Sequence, residues 1–331
     1  MPKILLNDLY KGRFMLAFLL IASLSILTPN LSQAVTQVKD YQSGKAQFDL
    51  SVNSKSIPYD VFFHTVMPEQ SLQLKSSRQQ LSSRIQVNQQ WQKLSWKNGG
   101  LLWKAPKAPG LYKLETTDAE TGHQITVSVF VLRPASEMKN GVLNGYKIGE
   151  YPSPLKGLPN YAAPKGFIEV TKENMHTKIT PHFTLGQFLC KQPSGFPKYM
   201  VLRQNLLENL ENLLTDVNNK GIRTDSFVIM SGYRTPAYNK AIGNVANSRH
   251  VYGDASDIFI DTLANGRMDD INGDGAVNEK DALRLYEFAN NPETHDHRDD
   301  LVGGIGVYKP NAVRGPFVHV DVRGTKARWG I

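Results

Sequence analysis

The sequence predicts an α+β protein, in which an antiparallel β-sandwich is followed by a domain of mixed helices and strands. Between about 35 and 134, short segments alternate apolar and polar residues between Pro and Gly turns, as in 125–131. From about 180 a helical period appears, with Leu206, Leu210 and Leu213 on one face. A chain of 331 residues with 40% apolar composition is large enough for two hydrophobic cores.

The N-terminus has the features of a secretory signal peptide. Three basic residues precede an apolar run over 14–27, which is short for a membrane span, and small residues place a cleavage site after Ala34. We therefore predict a signal peptide over 1–34 and export to the periplasm or cell wall. We expect no stable membrane span after cleavage; retention as an uncleaved anchor is the alternative.

The net charge indicates which kind of molecule the protein binds, and the cysteine content excludes an intramolecular disulfide. The net charge is +8, and because the leader holds three cations and one acid, about six positive charges remain without it. Nucleic acid is excluded as a partner by export and by the lack of basic blocks with interleaved aromatic residues. A basic surface suits an anionic wall polymer. The lone cysteine, Cys190, cannot form an intramolecular disulfide, and its apolar neighbours predict a buried packing role.

The sandwich is predicted over 35–134. Its W-x-A-P motif at 103–106 and P-G-x-Y motif at 109–112 resemble those of bacterial immunoglobulin-like domains, without the paired cysteines of antibody domains. No catalytic cluster occurs here, so we expect a spacer or a module that binds the wall or a partner. Residues 135–179 are rich in Gly and Pro and predict a linker, or an extended arm laid on the next domain.

The second domain is predicted over 180–331. A helix ending near Gly221 is followed by a buried strand over 227–230, which carries Ser231-Gly232-Tyr233-Arg234 at its end. A short helix over 237–242 follows, and further strands are predicted over 255–260, 303–308 and 316–322.

Two segments of this domain contain metal-binding residue types. His250 and Asp257 stand in the pattern S-x-H-x-x-G-x-A-x-D, and His319 stands in F-V-H-V-D. Two imidazoles and one carboxylate leave one position open on a zinc ion, as catalytic zinc requires. Gly253 and Ala255 would let the backbone between the first two residues turn tightly. The alternative is three unrelated polar residues at strand ends.

Together with S-G-Y-R-T-P at 231–236 and G-x-G-x-Y at 304–308, these motifs resemble the zinc D,D-carboxypeptidases and endopeptidases that act on bacterial cell-wall peptides. That family shares its α+β fold with the hedgehog signalling domain. The resemblance covers under half of the chain. It implies that His250, Asp257 and His319 bind a catalytic Zn²⁺, which would activate water for attack on the scissile carbonyl group.

The general base is less clear from the sequence. Many relatives have Glu three residues before the last histidine ligand, where this chain has Pro316; others have His two before it, where this chain has Phe317. Asp321 follows His319 by two residues and so shares its strand face. Asp321 is predicted to be the base, the carboxylate that orients His319, or a ligand with His319 as the acid/base; a structural role is the alternative.

Three residues are predicted to contact substrate. Arg234 would bind a substrate carboxylate or stabilise the oxyanion, with a surface salt bridge as the alternative. Ser248 would hydrogen-bond substrate or cap a turn, and Tyr233 would line the cleft or pack in the core. A rival metal cluster at His295 and His297 lies in a hydrophilic tract that predicts a solvated loop.

A second metal site is predicted at a loop resembling an EF-hand or dockerin loop. Its oxygen donors would bind a structural Ca²⁺ beside the active site, although Asp replaces the usual Glu at the last position. An ordinary turn is the alternative. The predicted ligands are Asp270, Asn272, Asp274, Ala276 (through its carbonyl), Asn278 and Asp281.

These observations predict an exported zinc peptidase that cuts peptidoglycan stem peptides. A metal-containing but inactive wall-binding or adaptor protein is the second hypothesis, because the usual glutamate is missing. The sequence leaves open whether a terminal D-Ala, a cross-link or another stem bond is cut.

Overall fold

The computed structural model describes residues 41–291 and 298–330. The predicted signal peptide and the His295/His297 cluster lie outside the described residues. The fold is sheet-rich with few helices, so the predicted α+β class is confirmed. The described residues contain no helix long and apolar enough to cross a membrane.

Two sheets form the N-terminal half. The first has the order β2-β1-β4-β7 and the second the order β3-β9-β8-β5-β6. The strands are β1 (Ser51–Val52), β2 (Lys55–Ser56), β3 (Val61–Val66), β4 (Ser71–Lys75), β5 (Leu81–Val87), β6 (Gln90–Leu94), β7 (Gly100–Lys104), β8 (Gly110–Asp118) and β9 (Gln124–Val131).

One strand pair differs from the antiparallel prediction. Strands β3 and β9 pair in parallel, with Val61 opposite Thr126. Parallel neighbours require a long connection, and the five intervening strands supply it here. Alternate residues of β4, such as Leu72 and Leu74, are buried, as expected for a sheet with one face in a core. The immunoglobulin-like assignment remains a prediction.

The segment after β9 lies along the second half of the chain. It contains β10 (Arg133–Pro134), β11 (Val142–Leu143), β12 (Tyr146–Lys147) and β13 (Gly166–Val170), followed by β14 (Lys198–Met200). Strand β13 pairs with both β10 and β14, which ties the segment to its neighbours on both sides. Short 3₁₀ turns occur at Ala135–Glu137, Leu155–Gly157 and Pro159–Tyr161.

The C-terminal half is built on a five-stranded sheet with the order β15-β16-β18-β17-β19. Its strands are β15 (Val228–Ser231), β16 (Ala255–Phe259), β17 (Gly304–Tyr308), β18 (Phe317–Asp321) and β19 (Ala327–Trp329), and its helices are α1 (Gln204–Asn219), α2 (Pro236–Ala241) and α3 (Glu279–Ala289). Further 3₁₀ turns occur at Leu185–Phe188, Arg249–Tyr252 and Asp299–Leu301. The predicted leucine face of α1 is buried.

Helix α1 also joins the two halves. The Tyr59 hydroxyl donates to the Asn212 side chain at 3.1 Å, and the Gln204 amide donates to the backbone carbonyl of Phe63 at 2.7 Å. Apolar residues of both halves belong to one continuous hydrophobic core. The β-sheets of the N-terminal half are therefore packed against the domain that carries the predicted zinc site.

Candidate metal centre

Strand pairing brings two of the predicted ligands together. Asp257 on β16 is the direct cross-strand partner of His319 on β18. Opposed residues of an antiparallel pair have Cβ atoms about 5 Å apart, so both side chains reach the same point on one sheet face. His250 is supplied by the 3₁₀ turn Arg249–Tyr252, immediately before β16.

The turn between His250 and Asp257 depends on Gly253. This glycine has φ +69°, in the left-handed region, and a Cβ atom there would collide with the backbone carbonyl of Val201. A non-glycine residue would therefore meet both conformational and steric resistance. The tight backbone turn expected between the two ligands is present, and it requires this glycine.

The three donor atoms have the spacing of a zinc site. Nε2 of His250 lies 3.2 Å from Nδ1 of His319 and 3.3 Å from Oδ1 of Asp257, and the last two atoms are 2.9 Å apart. Tetrahedral ligands at ordinary Zn–N and Zn–O bond lengths are about 3.3 Å apart. Among the described residues, this is the one group of three or more His, Cys, Asp or Glu that converges in this way. The residues present fit zinc.

Each ligand has a second partner that fixes its orientation. Nδ1 of His250 donates to the carbonyl of Gly232 at 2.7 Å, which leaves Nε2 free for a metal. Nε2 of His319 lies 3.0 Å from Oδ2 of Asp321, which directs Nδ1 to the site. Oδ2 of Asp257 accepts from Nη2 of Arg234 at 2.6 Å. Such outer partners set the tautomer and geometry of metal ligands.

The charge states of the ligands follow from burial and from this network. Burial lowers the pKa of His250. Burial alone would also lower the pKa of His319, but hydrogen bonds to Asp257 and Asp321 outweigh it and raise that pKa to about 9. Burial would raise the pKa of Asp257, yet the two imidazoles hold it well below its ordinary value. Metal binding would therefore displace a proton from His319 at neutral pH.

Asp321 lies behind His319. Its Oδ1 accepts from the backbone N–H of Gly304 at 2.9 Å, and Arg323 donates to both of its carboxylate oxygens. It is 2% exposed, does not line the cleft and is not among the converging ligand atoms. The ligand, general-base and orienting roles of Asp321 stay predictions. Its position favours the orienting role.

The predicted substrate-binding residues divide into two groups. Arg234 and Ser248 line a cleft of about 510 Å³ that also contains the three ligands. The Ser248 side chain makes no capping hydrogen bond, so the turn-cap alternative is not realised. Tyr233 does not line the cleft: it is 1% exposed and its hydroxyl is hydrogen-bonded to Tyr151, so the alternative of a packed tyrosine describes it. The side chain packs in the interior because the segment before β13 covers it.

Trp329 is a site residue that the sequence did not single out. Its ring centroid is 5.2 Å from that of His319, and it lines the cleft. Gly306 pairs with it across β17 and β19, and a Cβ atom on Gly306 would collide with the indole. The second glycine of the G-x-G-x-Y motif was the available signal, because a glycine inside a strand often marks a close approach.

Tyr161 is a second residue that the sequence did not single out. It lines the cleft although it belongs to the segment predicted as linker or arm. Its ring lies 4.3 Å from the Arg249 guanidinium, and the carbonyl of neighbouring Asn160 accepts from Arg249 at 3.2 Å. The arm thus contacts the residue next to His250. No local pattern could indicate this contact, because it joins positions about ninety residues apart.

The predicted calcium loop directs its oxygens to its own backbone. Asp270 accepts from the N–H groups of Gly273 and Gly275 at 2.8 and 2.7 Å. Asp281 is fully buried and forms a capping box with Asn278 at the start of α3. This role suits the short Asp side chain at the last loop position. The calcium site remains a prediction.

Cys190 and His182 make contacts within the fold and do not line the cleft. Cys190 is buried, as predicted. Its sulfur lies 3.5 Å from the backbone N–H of Thr235, the residue that caps α2. His182 lies 2.7 Å from Glu211, outside the cleft.

Comparison with known proteins agrees with this site. The sequence model of the family described as Peptidase M15 matches residues 181–281, a range that holds His250 and Asp257 and ends before His319. The match supports a metallopeptidase domain of M15 type in this part of the chain. No curated protein matches the chain. A solved structure of a modular endo-β-1,4-mannanase from Cellulomonas fimi is 19% identical over 26% of this chain and 18% of that chain, with a TM-score of 0.18.

Proposed function

We propose that this chain is an exported zinc peptidase that hydrolyses peptide bonds next to D-amino acids in the stem peptides of bacterial peptidoglycan. The observation that carries the proposal is the convergence of His250, Asp257 and His319 at zinc spacing. The match to the Peptidase M15 family model over 181–281 supports a peptidase function for the domain in which these residues converge. The basic balance of the chain suits stem peptides, which carry carboxylates.

The roles of the site residues follow from their contacts. Zinc, when bound, supplies a Lewis acid that acidifies water and polarises a carbonyl group. His250 and His319 present one nitrogen each because Gly232 and Asp321 hold the other. Arg234 is 13% exposed at the cleft, and its charge is compensated by the ion pair with Asp257. Because it retains N–H groups beyond those used by Asp257 and Ser231, we assign it to the substrate carbonyl group.

The test is hydrolysis of peptidoglycan fragments by the purified full-length protein, with metal analysis. We expect release of D-Ala or of uncross-linked stems, loss of this activity with a chelator, and recovery with Zn²⁺. His250→Ala should lose both zinc and activity, whereas His123→Ala, outside the cleft, should keep both. Hydrolysis that persists at undiminished rate in metal-free protein would overturn the proposal.

One observation favours a second candidate, a zinc-containing protein that binds the wall without cutting it. Among the described residues that line the cleft, Asp257 is the one carboxylate, and it belongs to the ligand set. A separate carboxylate base is therefore missing from the described cleft. Full zinc occupancy, binding to fragments and no hydrolysis would favour this candidate.

We also propose that the loop over 270–281 holds a structural Ca²⁺, on the twelve-residue match to calcium loops. Calcium should raise the melting temperature of the wild type, because a ligand that binds the folded state stabilises it. Asp270→Ala should remove that increase. A melting temperature that calcium leaves unchanged in the wild type would count against the site.

A further inference from the structure

A second, larger cavity lies beside the metal cleft. The second cavity has a volume of about 790 Å³ and shares Lys191, Met230 and Arg314 with the cleft of about 510 Å³. Its walls are β15, the loop over 310–316 before β18, and the segment over 266–277, which overlaps the predicted calcium loop and which we call the insertion. Because three residues line both spaces, the two cavities are adjacent, and we refer to them together as the groove.

The second cavity has a consistent chemical character. Its lining includes the cations Lys191, Arg267 and Arg314, and the described residues that line it include no carboxylate. The lining also includes apolar side chains such as Val228 and Val313. A surface that combines cations with apolar groups is complementary to a peptide that carries carboxylates.

Arg314 is held in place where the two cavities meet. Its guanidinium lies 4.4 Å from the ring of Phe317 and 5.4 Å from that of Tyr308, and these two rings stack with centroids 4.5 Å apart. Phe317 precedes the metal ligand His319 by two residues on β18, so both lie on the same strand face. A positive charge is thereby fixed close to the site of cleavage.

The cation nearest the ligands is already engaged. Arg234 gives Nη2 to Asp257 and Nε to Ser231 at 2.8 Å. A site specialised for a chain end would need a free cation for the terminal carboxylate and a wall just beyond it. Lys191 and Arg314 line both cavities, and neither has a carboxylate partner among the residues that the structure describes.

Resting on the proposed function, we propose that this groove binds an acidic peptide that continues for several residues beyond the scissile bond. The chain is accordingly an endopeptidase for cross-linked stems, and the second cavity holds the peptide of the second stem. Arg267 and Val313, remote from the ligands, contribute to substrate specificity through that peptide. The insertion forms one wall of the groove through Val277.

The test compares a cross-linked stem dimer with an uncross-linked stem as substrates of the wild type, Arg267→Glu and Arg284→Glu. Arg267 is exposed, and Arg284 is an exposed arginine outside the groove, so thermal melting should show that both variants fold. We expect a higher kcat/KM for the dimer. Arg267→Glu should lower it about tenfold for the dimer and leave the uncross-linked stem unchanged, whereas Arg284→Glu should change neither.

Equal or faster cleavage of the uncross-linked stem would overturn the inference and leave the proposed function intact. An equal effect of Arg267→Glu on both substrates would do the same. If neither substrate is cleaved, the proposed peptidase activity fails. Calorimetric titration of both fragments into the wild type then decides whether the groove binds the peptide of the second stem. Tighter binding of the dimer, weakened by Arg267→Glu, supports the groove; equal affinities overturn it.

Discussion

Oδ2 of Asp321 lies 3.0 Å from Nε2 of His319, while Nδ1 of the same ring lies 2.9 Å from the Asp257 carboxylate. One imidazole therefore joins an orienting carboxylate to the ligand set. Arg323 and the backbone of Gly304 hold Asp321 in turn, so a buried network fixes the ring. This arrangement supports the predicted role of Asp321 as the carboxylate that orients His319.

Asp321→Asn should lower zinc affinity by about 10- to 100-fold, because the amide lacks the charge that holds the ring and Arg323. Zinc titration in competition with a chromophoric chelator measures the change. Asp300→Asn, an exposed acid, serves as the control. An unchanged zinc affinity of Asp321→Asn would show that Asp321 does not orient His319 for metal binding. A loss as complete as that of His319→Ala would make Asp321 a ligand.

Gly253→Ala should destabilise the fold and weaken zinc binding together, because the turn that places His250 beside Asp257 must shift. Gly221→Ala is a matched control: Gly221 also has positive φ, at +90°, but nothing lies near its Cβ position. The control should lose about 1 kcal/mol from backbone strain alone, and Gly253→Ala should lose clearly more. Urea unfolding and zinc titration measure the two effects. Equal losses with full zinc affinity would contradict the steric argument.

The convergence of His250, Asp257 and His319 was expected because the short motifs that contain them resemble those of the zinc D,D-peptidases. Two imidazoles and a carboxylate are also residue types that suit a zinc ion with one open position, and zinc binding by these residues stays a prediction. Element positions followed from local patterns: the predicted strand over 255–260 is β16 at Ala255–Phe259. Periodicity and turn residues are local signals, so these features could be read without knowing the fold.

Features that depend on contacts between distant segments were not predictable. The parallel pairing of β3 with β9, and the packing of Tyr161 on Arg249, each join positions far apart in the sequence. The choice between the two positions predicted for Tyr233 depended on such a contact as well, because Tyr151 of the arm covers it. The groove beyond the metal centre likewise arises where the insertion and the loop over 310–316 meet.

Arg249→Ala should lower the free energy of unfolding by about 3 kcal/mol, because it leaves the Asp254 carboxylate buried without its main partner. The two residues form an ion pair and are 3% and 1% exposed. Urea unfolding measures the loss. Arg284→Ala, which removes an exposed pair with Glu287, should stay within about 0.5 kcal/mol of the wild type. A loss below about 1 kcal/mol for Arg249→Ala would show that Arg203, 3.8 Å from Asp254, compensates the charge.

His64 should make the stability of the protein depend on pH. It lies on β3, is 7% exposed, and faces Gln204 of α1 at 3.4 Å. Burial, with a smaller contribution from Lys55, lowers its pKa to about 4 from an ordinary value of 6.5. The unfolded chain therefore binds a proton more readily than the folded protein between these two values. The contribution of neutral His64 to the free energy of unfolding is therefore fully present above pH 6.5. It is lost as the pH falls towards 4.

His64→Gln replaces the imidazole with an amide that does not titrate. From pH 7 to pH 4, the wild type should lose about 3 kcal/mol more of its unfolding free energy than this variant. Urea unfolding at pH 7, 5.5 and 4 measures the difference, with the largest change expected between the last two. A difference between the two proteins that stays constant over this range would show that His64 keeps its ordinary pKa in the fold.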